Sequence, residues 1–215
     1  SPIAGLAAYG GGAGSVIFGR KGVDGYQIDR SLRFNDADSA YLNRTPSSAG
    51  NRKTWTWSGW VKRSSSTSGN MQVLFAAGPD NDDFALAFDT DDRLTMYEWD
   101  GSYTWRKKTD QVFRDFSSWY HIVAVLDTSN STAEDRARLY VNGVRITSWN
   151  VDSDPSLDFA TTQINAAQEH RIGQTTANTS RYLDGYLADI HFIDGQALAA
   201  TDFGAFDADT GVWNP

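Results

Sequence analysis

The 215-residue chain has no cysteine, so disulfides, thiol nucleophiles and thiolate metal sites are excluded together. Three histidines and the carboxylates are the remaining side chains suited to a metal. No stretch approaches the roughly 18 consecutive apolar residues of a spanning helix, and the start lacks the basic-then-apolar layout of a signal peptide. Positive charge is also short: 19 Lys and Arg face 27 Asp and Glu, a net charge of −8. A surface of that sign repels phosphate backbones and anionic lipid, so neither nucleic acid nor membrane is an expected partner. Helical periodicity is missing as well, and no internal repeat stands out.

What the chain does have is aromatics, eight of them Trp, and a hydrophobic share of 40%, enough for one substantial core. Glycine is concentrated at one end, with eight of the 19 by Gly25. Residues 1–30 therefore read as an extended arm, 31–205 as one domain and 206–215 as a tail. Within the arm, Gly14 to Gly19 has the spacing of a phosphate loop. Arg20, Lys21 and Gly22 follow where Lys and Ser or Thr are required, and no strand-to-helix context surrounds it. The arm is instead expected to dock on a partner, with Val16, Ile17 and Phe18 as apolar anchor and Arg20 and Lys21 meeting acidic groups. A glycine-rich segment costs much entropy to order, which favours a partner that orders it.

From Ser31 the text becomes short alternating runs broken by turn letters, the pattern of an all-β antiparallel sandwich. Strands are expected at 31–34, 40–43, 54–62, 71–76, 84–88, 119–126, 170–173 and 182–192. Asn142-Gly143 predicts a tight hairpin over Arg138 to Ile146. In the 119–126 run both alternating sets are largely apolar, which predicts a central strand covered on both faces. A second hairpin is predicted around Asp100-Gly101. A two-residue turn there pairs Trp99 with Ser102, Glu98 with Tyr103, Tyr97 with Thr104 and Met96 with Trp105. Leu94, Met96, Tyr103 and Trp105 then face the core, and Thr95, Tyr97, Trp99, Thr104 and Arg106 form a mixed aromatic and polar face.

In order, SLRFNDADSAYLNRT, WTWSGWVKRS, SSWYHIVAVLD, ARLYVNGVRI and HRIGQTTANTSRYLDGYLADIHFIDGQAL resemble the concanavalin A-like jelly rolls, in their laminin-G and pentraxin-like branch. The resemblance implies a two-sheet jelly roll over 31–205, ending in a short helical segment, with Trp55, Trp57, Trp60 and Trp119 between the sheets. The final stretch, HFIDGQALAATDFGAFDADTGVWNP, is similar to jelly-roll modules in virion proteins of tailed bacteriophages. That likeness implies a virion location, other virion proteins as partners of the arm, and a homo-oligomer.

Glucanases of this fold space two glutamates and an aspartate along one strand face, because alternate positions share a side. The nearest approach here, Glu98-Trp99-Asp100, lacks a second glutamate. No Gly-x-Ser-x-Gly elbow accompanies His121, His170 or His191. A non-enzymatic protein without catalytic residues or organic cofactor is expected. Calcium remains open, since related folds often hold it with rim carboxylates; the candidates are Asp80, Asp82, Asp83, Asp89 and Asp91, with Arg93 and a missing glycine arguing against a helix-flanked calcium loop. Tyr97, Trp99, Thr104 and Arg106 could stack and hydrogen-bond a cell-surface glycan. The reading in which they pack under a loop or against another subunit comes ahead of that one, since aromatics are also enriched at protein interfaces. The expected functions are thus a virion structural module (head decoration, spike or tail fibre), a carbohydrate-binding domain and, last, a glucanase.

Overall fold

A computed structural model describes residues 26–67, 69–79, 82–176 and 180–215. The arm residues Val16, Ile17, Phe18, Arg20 and Lys21, and Asp80, lie outside them. Two antiparallel sheets stack into a sandwich. The six-stranded sheet holds β1 (Leu32–Phe34), β3 (Thr54–Arg63), β8 (Tyr120–Asp127), β9 (Ala137–Val141), β10 (Val144–Arg145) and β13 (Gly185–Asp194) in the order β1-β13-β3-β8-β9-β10. The seven-stranded sheet holds β2 (Leu42–Arg44), β4 (Gln72–Ala77), β5 (Asp82–Phe88), β6 (Arg93–Asp100), β7 (Tyr103–Val112), β11 (Trp149–Ser153) and β12 (His170–Ile172) in the order β11-β7-β6-β5-β4-β12-β2. A small ladder, β14 (Ala205–Phe206) with β15 (Trp213–Asn214), completes the chain. Among the described residues, helix is confined to single 3-10 turns, one of them at Ala200–Asp202 after the last long strand.

Alternation builds the core. Trp55, Trp57 and Val61 of β3 point between the sheets, as do Ile122, Ala124 and Leu126 of β8, and all six are fully buried. Register matches large with small, setting Trp57 opposite Ala124. The predicted hairpin after β9 closes on Asn142 (φ 48°) and Gly143 (φ 78°), with Val144 opposite Val141. A Cβ on Gly143 would sit 2.2 Å from the Trp213 ring, so packing as well as backbone demands glycine there.

Two of the four tryptophans assigned to the inter-sheet space lie elsewhere. Trp60 has the opposite parity to Trp55 and Trp57, so it faces outward from the six-stranded sheet and packs with Val123, Val125, Ala200 and Trp213. Trp119, just before β8, lies 6.5 Å from Tyr186, also on the outside. The second face of β8 is therefore covered by the C-terminal segment. His121 anchors that cover: its Nδ1 accepts a hydrogen bond from the Trp213 indole N–H at 3.0 Å, and its Nε2 lies 2.9 Å from Ser58 Oγ. This geometry fixes the neutral tautomer with the proton on Nε2, donated to Ser58.

At one end of the sandwich a buried ion pair joins the sheets. Arg63, the last residue of β3, is fully buried and donates to Asp92 Oδ1 at 2.7 Å, to the Phe113 carbonyl and to Gln72 Oε1 at 3.2 Å. Its guanidinium lies 4.5 Å from the Phe88 ring centroid. Asp92 sits in the β5–β6 turn at φ 64°, and also accepts from the Thr67 backbone N–H at 2.9 Å and from Arg114 at 2.8 Å. Burial opposes the ionised carboxyl, but these donors outweigh it and hold the pKa down at about 2.

Replacing Arg63 with Met should lower unfolding free energy by about 3–5 kcal/mol, because Asp92 is left as a buried charge without its main partner. Urea midpoints measure this, and adding Asp92→Asn should recover part of the loss; an unchanged midpoint in the single variant would contradict the role of the pair. A second expectation concerns acid. Burial depresses the pKa of His121 from 6.5 to about 4. The unfolded chain then takes up the proton first, so stability present above about pH 6.5 declines as pH falls towards 4, by on the order of 3 kcal/mol for this group. His170, also depressed by burial, adds a slope of the same sign. Midpoints from pH 7 to pH 4 should show that decline, and His121→Gln should reduce its slope. An undiminished slope in the variant would rule His121 out as its source.

Candidate functional site

The outward face of the seven-stranded sheet carries the aromatic set, arranged by a β-bulge. Between the paired residues Trp99 and Tyr103 the chain turns over Asp100, the last residue of β6, and the connecting Gly101 (φ 67°) and Ser102, with the Asp100 N–H donating to the Ser102 carbonyl at 2.9 Å. Trp99 therefore pairs with Tyr103 rather than Ser102, and Glu98 pairs with Trp105. Thr104 is the extra, exposed residue of the bulge, and Tyr97 pairs with Arg106 instead of Thr104. Tyr103 thereby leaves the core set, where the two-residue turn had placed it, and joins the outer face. Met96 lies opposite Lys107, and Leu94, Met96, Glu98, Trp105 and Lys107 are all fully buried.

Tyr103, 42% exposed, becomes the centre of the site. Its ring meets Trp99 edge-on at 4.8 Å and Tyr97 at 5.3 Å, both at 84°. The Arg106 guanidinium lies 4.5 Å from its centroid, while Arg106 Nε donates to Thr95 Oγ1 at 3.3 Å. Behind these rings Met71, Val73, Ala76, Ala85 and Ala87 form a buried floor. The chain after β12 passes over it, where Thr175 Oγ1 donates to Asp83 Oδ2 at 2.7 Å. The Tyr97 hydroxyl donates to the same oxygen at 3.3 Å. Burial and the nearby Asp83 carboxylate raise the Tyr97 pKa, so the phenol keeps its proton. The four residues singled out for glycan contact thus divide: Tyr97, Trp99 and Arg106 gather around Tyr103, and Thr104 stands at the bulge. Strand alternation could not reveal Tyr103's place, because one inserted residue reverses parity beyond it.

Three of the acidic candidates, Asp83, Asp89 and Asp91, form ion pairs. Asp89 binds Arg106 and, at 2.7 Å, Lys108; Asp91 binds Lys108 at 2.8 Å and Arg93 at 3.0 Å. Carboxylates neutralised in this way do not fit a calcium ion, which needs several uncommitted oxygens. Asp83 is turned to Tyr97 and Thr175, Asp82 begins β5, and among the described residues no three His, Asp or Glu side chains converge as metal ligands. Glu98 is remote from the aromatic surface: buried inside the sandwich, its Oε1 accepts from Thr162 Oγ1 at 2.7 Å, and burial raises its pKa. His121 and His170 are buried in hydrogen bonds, and His191 lies 3.0 Å from Asp189.

A concavity of about 1310 Å³ lies on the opposite side of the molecule, lined by Tyr26, Trp60, Trp119, Phe206 and Trp213. The parity of Trp60 within its strand is the sequence signal that points to it.

Among solved structures, this fold is similar to the carbohydrate-binding module CBM40 of the Ruminococcus gnavus IT-sialidase, a structure with bound α2,3-sialyllactose: TM-score 0.53, 13% identity, 76% of this chain and 96% of that one. It is also similar to laminin-G domains 4–5 of the mouse laminin α1 chain (TM-score 0.54, 14% identity, 77% of this chain and 42% of that one). A third likeness is to the heptameric SAP-like pentraxin of Limulus polyphemus (TM-score 0.50, 16% identity, 74% and 71%). At these identities the likeness is one of fold. A search of curated proteins finds no match. A family model matches residues 35–202, from the turn after β1 to the end of the last 3-10 turn, and on that match the chain belongs to the concanavalin A-like lectin/glucanases superfamily.

Proposed function

We propose that this protein is a non-enzymatic carbohydrate-binding domain, and that it binds sugar on the face formed by Trp99, Tyr103 and Arg106; Tyr97, only 2% exposed, packs edge-on against Tyr103 and does not reach the sugar. The observation that carries the proposal is the partly exposed Tyr103, set edge-on between Trp99 and Tyr97 with a guanidinium on its face. Flat rings stack on sugar C–H surfaces, and a fixed Arg and neighbouring hydroxyls bind sugar oxygens. The sialyllactose bound to the fold neighbour from Ruminococcus gnavus supports a glycan as ligand class. The burial of Glu98 away from this face supports binding without hydrolysis, since a glycosidase needs a pair of carboxyl groups flanking the bond it cleaves.

Glycan-array screening followed by calorimetry tests the proposal. Trp99→Ala and Tyr103→Ala should each weaken binding by roughly tenfold or more, at little cost in melting temperature because both side chains are partly exposed. Full binding in both variants would exclude this face. A change of molecular mass in Trp99→Ala, read by light scattering, would instead identify it as a contact between copies of the chain.

The C-terminal sequence HFIDGQALAATDFGAFDADTGVWNP supports a second, compatible reading, in which the domain is displayed on a bacteriophage particle and attached through residues 1–25. Deleting residues 1–25 should then abolish association with the particle while leaving the melting temperature unchanged. Retained association would remove the arm from that role.

A further inference from the structure

An Asp-Gly step can close on itself, because glycine carries no side chain to hinder the approach of its nitrogen to the preceding carboxyl. The nitrogen attacks Cγ and a five-membered succinimide forms, the nitrogen's proton and the carboxyl's hydroxyl leaving together as water. Water then opens the ring at either carbonyl. Opening at Cγ restores Asp, whereas opening at the main-chain carbonyl leaves glycine bonded to Cγ as isoaspartate, with a backbone one carbon longer and an unchanged mass. The step consumes no oxidant and no co-reactant besides water.

Three Asp-Gly steps fall within the described residues, and the fold ties down two of them. The Asp184 carboxylate is bound to Arg33 at 2.8 Å and accepts from Ser65 Oγ at 2.9 Å, while Gly185 is buried in the ladder against β3. Asp194 Oδ1 accepts from the Asn51 N–H at 2.7 Å and from Asn165 Nδ2 at 2.6 Å, and the Gly195 N–H donates to the Thr54 carbonyl at 3.0 Å. Asn142-Gly143, open to the same chemistry with ammonia as leaving group, is held too: Asn142 Oδ1 accepts from the His121 N–H at 2.8 Å, and the Trp213 ring covers Gly143. Asp100-Gly101 differs from all three. Both residues are exposed, no hydrogen bond among the described residues engages the Asp100 carboxyl or the Gly101 N–H, and a Cβ on Gly101 would meet nothing within 4 Å.

We propose that Asp100 is a site of spontaneous isoaspartate formation, and that the longer backbone it leaves withdraws Tyr103 from the aromatic face. Tyr103 pairs with Trp99 across this turn, so an added backbone atom between them disturbs the edge-on contact of the two rings. The site stands on the geometry of the turn alone. Only its effect on sugar binding rests on the carbohydrate-binding reading above.

The full chain would be kept at body temperature for weeks, digested and mapped by chromatography, which separates an isoaspartyl peptide from its parent of equal mass. Isoaspartate should accumulate at Asp100 about tenfold or more faster than at Asp184 and Asp194, with Asn142 remaining an amide, because the held positions react only when the fold opens locally. In urea the three Asp-Gly steps should react at rates within roughly twofold of one another, since the fold no longer protects any of them. Asp100→Glu keeps the charge but would have to close a larger ring, so it should remove the product. Asp100→Asn should instead deamidate at that turn, gaining a carboxylate visible by ion exchange, and it tests the same site should the Glu variant fail to fold. The near-ultraviolet circular dichroism of the aged chain should weaken relative to equally aged Asp100→Glu. Equal rates at the three steps in the folded chain, or isoaspartate at Asp100 in urea alone, would overturn the site. An unchanged aromatic signal at high isoaspartate content would overturn the effect on Tyr103, and a chain that binds no sugar would leave the chemistry at Asp100 standing.

Discussion

The Arg63–Asp92 pair is the constraint on which the sandwich depends. Two sheets attract each other through apolar contacts that have no direction, so burial alone leaves their mutual slide weakly defined. A guanidinium bound at once to Asp92, Gln72 and the Phe113 carbonyl has one satisfactory position, and it joins the end of β3 in one sheet to the β5–β6 turn and the end of β7 in the other. The left-handed backbone of Asp92 belongs to the same arrangement. Well-packed apolar residues could give equal stability. The pair ties the β5–β6 turn and the end of β7, at one end of the sheet that carries the aromatic face, to the last residue of β3.

Within that frame a single inserted residue makes the candidate site. Without the bulge at Thr104, Tyr103 would share the buried side of β7 with Trp105. With it, Tyr103 turns outward beside Trp99 while Trp105 stays in the core. The core thus keeps its full aromatic packing, and the outer face gains a ring that is edge-on to both neighbours and capped by Arg106. Bulges recur where a strand must re-aim a side chain, and this one lies next to the β6–β7 turn, where Gly101 has positive φ.

The strand pattern, the Asn142-Gly143 hairpin and the doubly covered β8 were legible in the sequence because each depends on alternation or turn chemistry over a few neighbouring residues. Trp60 departs from the inter-sheet position that the family resemblance implies, because its parity sets it on the opposite face of β3 from Trp57. Tyr103 could not be placed by alternation, because parity holds only within an unbroken ladder. Asp89 and Asp91 resembled metal ligands while only their carboxylates were visible. Their partners Arg106 and Lys108 come from β7, two strands away from β5 in the sheet, and that adjacency is a product of the fold. β11 was missed because Trp149–Ser153, at the edge of the sheet, shows little apolar alternation.

The hydrogen bond from Trp213 to His121 fixes more than the cover of β8. It holds the last residues against the six-stranded sheet, on the side of the molecule opposite the aromatic face. Any sequence joined after Pro215 would leave from the back of the sandwich, so a support attached there would leave the aromatic face pointing outward, with no hinge required to clear it.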